Sequence, residues 1–137
     1  MKAQRLPDSE FDLMQTIWDQ QPPVTTGLLM DLIGRSRNWK VQTVVTLLAR
    51  LTERGFLRVE KGSGRERAFY PIISRDEYLR METENFLEHY HHKSVHSLIA
   101  ALAGDRLSDQ DLDELSDFVR KARERSEGKG PPGYPPC

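Results

Sequence analysis

The chain has 137 residues, 37% of them hydrophobic and 30% charged, with a formal net charge of -1. That length supports one domain of usual size or two small ones with a modest core, and no apolar run approaches the roughly 20 residues that a bilayer requires. The opening MKAQRLPDSEFD lacks the apolar stretch of a secretory signal, and Cys137 is the single cysteine, which excludes an internal disulfide framework and a cysteine-based metal cluster. A cytoplasmic protein without membrane contact is expected.

The small net charge hides an asymmetry. Residues 1–71 carry eleven Lys/Arg against eight Asp/Glu, whereas residues 72–137 carry nine against thirteen. Between Arg35 and Arg67, nine cations face three acids, a local balance of +6. One part of the chain is built to meet a polyanion and the other is not.

In chain order, DSEFDLMQTIWDQ predicts a first helix, capped by Ser9 with Asp12 three positions on, and carrying Phe11, Met14, Ile17 and Trp18 at helical spacing. The QPP at residues 21–23 ends it. TTGLLMDLIGRS predicts a second, short helix: Thr25 or Thr26 caps it, Leu28, Leu29, Leu32 and Ile33 form its buried stripe, and Gly34 suits a left-handed closing residue. WKVQTVVTLLARLTERGFL then predicts a third. At about 100° per residue, Val41, Val44, Val45, Leu47, Leu48 and Leu51 fall on its core side, and Gly55 stops it. FLRVEKGSGRERAFYPII alternates around a GSG turn as a hairpin whose tip carries Lys61, Arg65 and Arg67.

Three helices followed by a basic hairpin describe a winged helix-turn-helix, with the third helix as reader and the hairpin as wing. The outward side of that helix is short and hydrogen-bonding where Glu and Lys would be usual. Gln42, Thr43 and Thr46 fit base edges or nearby phosphates, Ala49 leaves room for close approach, and Arg50 fits phosphate. A merely solvated face is the plainer alternative, outweighed by the wing and the charge asymmetry. Lys61, Arg65 and Arg67 fit phosphate contact, although cations also protect a hairpin from edge pairing. Arg35, Arg37 and Lys40 border the start of the reading helix. Glu53 is the misfit of the stripe and is expected where the helix leaves the DNA. Trp18 and Trp39 read as packing residues.

After Pro71 the texture turns helical and acidic. Ser74 and Glu77 predict a capping box for SRDEYLRMETENFLEHYHHK. SVHSLIAALAG is short and apolar and closes at Gly104, and a last helix opens at Ser108. About fifty residues in three helices are too few to bury their own stripes, so pairing with a second copy is expected through Tyr78, Phe86, Leu87, Leu98, Leu102, Leu112, Leu115 and Val119. The histidines His89, His91, His92 and His96 read as a solvated helix end rather than a metal site. No cofactor is called for, and no phosphate loop, nucleophile elbow or HExxH supports an enzyme. The expected architecture is mainly α with a small β-hairpin: a winged-helix DNA-binding domain over 1–71, a helical dimerisation domain over 72–126 and a disordered tail over 127–137. A winged helix used as a protein-interaction module without direct DNA binding is the rival.

LPDSEFDLMQTIWDQ, WKVQTVVTLLARLTERGFL and GRERAFYPIISRDEY, in that order and spacing, resemble the BlaI/MecI family of bacterial winged-helix repressors. The resemblance covers nearly all of the chain before the tail. It implies a homodimer that binds a short palindromic DNA operator and blocks transcription, with the N-terminal domain on DNA and the C-terminal helices forming the dimer. It also implies a sensor protease that cuts an Asn-Phe pair in the short middle helix. The matching positions here are Ala101 and Leu102, so the protease stays an open partner. The paired cysteines of the copper-responsive branch are absent, and Lys40 and Val41 replace the family's frequent Ser-Pro at the start of the reading helix.

Overall fold

The computed structural model describes residues 5–62, 64 and 66–129. Their elements are α1 (Asp8–Trp18), α2 (Thr26–Leu29) continued by a wider turn over Met30–Gly34, α3 (Val41–Glu53), β1 (Leu57–Lys61), β2 (Arg67–Pro71), α4 (Arg75–His91), α5 (Val95–Leu102) and α6 (Asp109–Lys129). They form two compact units that divide between Phe86 and Leu87, inside α4. The first unit is the winged helix-turn-helix that the sequence predicts.

The first helix does not use Ser9 as its cap. It begins at Asp8, with the Pro7 carbonyl accepting from the Phe11 N–H at 2.9 Å, so Ser9 lies inside the first turn. The Asp12 carboxylate is drawn instead to Arg37, at 2.7 Å. Thr25 does cap α2, its hydroxyl accepting from the Leu28 N–H. Beyond Leu29 the turn widens, and the Arg35 N–H reaches the Met30 carbonyl five residues back. Gly34 sits within that wide turn rather than in a left-handed position, which Asn38 takes at φ 58°. What Gly34 supplies is space, because a Cβ there would lie 2.6 Å from the Met30 sulfur. Leu29 and Ile33 are buried as expected, whereas Leu32 is turned to solvent.

On α3 the buried residues are Val44, Leu47, Leu48 and Leu51. Val41 and Val45, placed on the core side by periodicity, are 55% and 40% exposed. The core touches only the stripe centred on the buried four, and these two valines lie beyond its edge. Gly55, at φ 86°, ends the helix with the Phe56 N–H on the Leu51 carbonyl. The hairpin follows in antiparallel register from Leu57 opposite Pro71 to Lys61 opposite Arg67. Val24 bridges Phe69 through both backbone hydrogen bonds, which ties the segment before α2 to the sheet.

Two polar contacts lock this unit. Glu10 is only 1% exposed, and its Oε1 lies 2.8 Å from Arg54 Nε, joining the first turn of α1 to the end of α3. Tyr78 is the second, and it corrects an expectation. At 2% exposure it is a core residue rather than part of a surface for a second copy, with its ring 5.6 Å from both Phe11 and Phe56 and 5.9 Å from Trp18. Its hydroxyl accepts from the Leu6 N–H at 2.8 Å and donates to Glu82 at 3.0 Å. Burial pushes the phenol pKa up to about 12. The Trp18 indole donates to the Ile73 carbonyl, and the Arg75 guanidinium reaches Gln15 and Asp19. These contacts hold the first turns of α4 on the winged helix, and compactness breaks after Phe86 rather than at Pro71.

The helix starts read as capping motifs. Ser74 and Glu77 exchange side-chain and backbone hydrogen bonds, which holds the Glu77 carboxyl below its ordinary range, and Ser108 and Asp111 do the same at the head of α6. In the second unit, Ser94 caps α5 through the Ser97 N–H. His92 and Lys93, both at positive φ, turn the chain between α4 and α5. The last helix runs to Lys129, past the point where a tail is expected, and residues 130–137 lie outside the described residues.

Arg54→Met should cost about 3 kcal/mol in urea unfolding by stranding a buried carboxylate, and adding Glu10→Leu should restore most of that loss. Tyr78→Phe should cost about 1 kcal/mol at neutral pH through the unmatched Leu6 N–H. The raised phenol pKa means that its contribution is complete below the ordinary value of about 10 and is lost as pH rises toward 12. Unfolding curves of Tyr78→Phe should therefore decline less steeply across that alkaline range than those of the parent.

Candidate nucleic-acid interface

With Val44, Leu47, Leu48 and Leu51 committed to the core, helical geometry presents Gln42, Thr46, Ala49 and Glu53 on the opposite side of α3, with Thr43 and Arg50 on one flank. Gln42, Thr43, Ala49 and Arg50 are exposed and Thr46 is half-buried. Lys40 stands just before the helix with extended backbone and is exposed. The expected reading residues are therefore together on one outward face.

The other side of that face borders a groove of about 620 Å³ between α3 and the hairpin, lined by Val45 and Ala49 from the helix and by Val59 and Phe69 from the hairpin. Glu53, Glu66 and Arg67 also line it. Glu53 is thus turned toward the wing side of α3. Its carboxylate shares the groove with the wing's Arg67.

Ion pairing sorts the cations. Arg35 pairs with Asp31 at 3.3 Å, Arg37 with Asp12 at 2.7 Å and Arg54 with Glu10, while Arg58 pairs with Glu60 and stacks over Tyr70 at 4.3 Å. Among the described residues, Lys40, Arg50, Lys61 and Arg67 take part in no ion pair with Asp or Glu. Arg65 lies outside the described residues. Lys61 and Arg67 are moreover directly opposite each other in the hairpin, an arrangement of like charges that disfavours the sheet by itself. Sequence reasoning ranked Arg35 and Arg37 beside Lys40. It lacked the pairing, because Asp12 lies 25 positions from Arg37 in the chain.

Trp39 donates its backbone N–H to the Gly34 carbonyl at 2.7 Å, and the Arg37 guanidinium lies 6.0 Å over its ring. It packs partly buried against the core, as does Trp18. At the end of α4, His91 Nδ1 lies 2.8 Å from the Ser97 hydroxyl and His89 stacks edge-on against Tyr90. These histidines serve the local turn.

Comparisons with known proteins identify the family. A family model described as "Penicillinase repressor" matches residues 6–121. The penicillinase repressor of Bacillus licheniformis is 25% identical over 125 residues, covering 90% of this chain and 96% of that protein. The methicillin resistance regulatory protein MecI of Mammaliicoccus sciuri is 22% identical over 121 residues, covering 88% and 97%. Among solved structures, the DNA-binding domain of the repressor BlaI aligns at 26% identity over 56% of this chain and 92% of that one, with a TM-score of 0.49. No helix among the described residues is long and apolar enough to cross a membrane. The chain belongs to the penicillinase repressor family, a family of transcriptional repressors and not of enzymes.

Proposed function

We propose that the chain is a cytoplasmic repressor that binds a palindromic DNA operator as a homodimer. The observation that carries the DNA half of this reading is the set of cations that take part in no ion pair around a short-chained helix face. Lys40, Arg50, Lys61 and Arg67 surround Gln42, Thr43 and Thr46, so phosphate neutralisation and base-edge hydrogen bonds are available from one surface. In this reading Lys40, Arg50 and the wing fix the protein on the backbone, and Gln42, Thr43 and Thr46 select sequence. The groove at Glu53 marks where the helix and the wing part company.

The dimer half rests on the second unit. Helix α5 is strongly apolar in sequence yet has no buried residue, with Val95 at 60% exposure. On α6, Leu112, Phe118 and Val119 are about half-exposed. Uncovered faces of this kind are stable in water only when another surface meets them. A second copy supplies it through Phe86, Leu87, Leu98, Leu102, Leu112, Leu115 and Val119. Tyr78 is left out because its ring is spent in the core. A two-fold protein then requires a two-fold site, with its reading helices in successive major grooves about one turn apart.

Arg50→Ala should weaken binding to all duplexes alike and lower the salt slope by about one, whereas Arg37→Ala, already paired with Asp12, should leave the slope unchanged. Fluorescence anisotropy titrations at several salt concentrations read both. An unchanged Arg50→Ala titration would overturn the reading-helix assignment. A chain ending at Phe86 keeps Tyr78 and its partners and should sediment as a monomer, with operator affinity reduced by about a hundredfold or more. A full-length chain that sediments as a monomer would remove the dimer.

A further inference from the structure

The proposed contacts leave two exposed residues on the reading helix without a role. Val41 and Val45 are 55% and 40% exposed, and with the exposed Ala49 they follow one another at intervals of four along α3. That row runs directly beside a second row with the same interval, Gln42, Thr46 and Arg50. One row is apolar and the other hydrogen-bonding. A β-branched residue is an indifferent helix former, and neither valine belongs to the buried core, so core packing does not explain two of them on this face. The apolar row is also continuous with the wall of the groove, which Val45 and Ala49 line together with Val59 and Phe69.

We infer that Val41, Val45 and Ala49 form a methyl-reading edge of α3, seated against the 5-methyl groups of thymines in the major groove. This rests on the proposed DNA-binding face and adds to it. Hydrogen-bonding side chains such as Gln42 and Thr46 recognise donors and acceptors, and the acceptor O4 of thymine resembles O6 of guanine to such a donor. The methyl group is what marks thymine apart, and only an apolar contact detects it. Side chains as short as valine and alanine also let the helix backbone approach the bases closely enough to make that contact. The two rows together read an A·T pair unambiguously, which neither does alone.

The test uses the full-length chain and duplexes selected by it from a random pool. Each thymine of a selected site is replaced singly by deoxyuridine, which keeps the base-pair hydrogen bonds and removes only the methyl group. Affinity should fall about four-fold at one or more thymines in each half-site, the worth of one buried methyl. At the same position, Val45→Ala or Val41→Ala should show a smaller loss, because the truncated side chain no longer reaches the methyl. The inference is overturned if uracil is tolerated at every position, or if both variants keep the whole loss. Should the pool yield no duplex bound above background, the DNA-binding reading itself fails at the selection step, before any uracil is introduced, and this inference falls with it.

Discussion

A carboxylate taken almost wholly out of water must find a cation, and Glu10 finds Arg54. The pair adds little net stability, since desolvation of both groups opposes their attraction. Its importance is geometric. Glu10 lies in the first turn of α1 and Arg54 directly follows Glu53, the last residue of α3, so the contact fixes the end of the reading helix against the first helix. Leu47, Leu48 and Leu51 set the rotation of α3 from the inside, and Arg54 holds it at the end where the helix would otherwise fray into the hairpin. Which residues of α3 face outward follows from that placement.

The same economy of acids governs the surface. Asp12, Asp31 and Glu60 each take up one cation of the basic region, and those cations lie at the turn before α3 or on the body of β1. What remains without an ion pair among the described cations of that basic region is the start of α3, its Arg50 and the end of the hairpin. The local excess of positive charge is therefore concentrated at the start of α3, at Arg50 and at the end of the hairpin, where Lys61 and Arg67 face each other.

The two units obey different physics. The first has a closed core around Leu13, Met14, Ile17, Leu48, Leu51 and Phe56, sealed by Tyr78 from the following helix. The second has well-capped helices, but among its described residues none is buried, on α5 or elsewhere. Helical propensity and capping are local and are satisfied within each segment, whereas burial needs a facing surface. The first unit thus carries its own core, whereas the second leaves apolar residues such as Val95 and Phe118 exposed.

The sequence by itself determined the element order, the caps at Ser74 and Ser108, the stop at Gly55 and the outward set of Gln42, Thr43, Thr46 and Arg50. Each of these follows from period, turn chemistry or charge within a few residues, and local rules suffice for them. Only the tertiary structure decided that Tyr78 belongs to the core, that Arg37 is occupied by Asp12 while Lys40 is not, and that Val41 and Val45 face outward. The reason is the same in all three. A helical period says which residues share a side, but the width of the buried stripe and the partner of a charge depend on what the rest of the chain brings against it, and the partner lies 25 positions away for Arg37 and 72 for Tyr78.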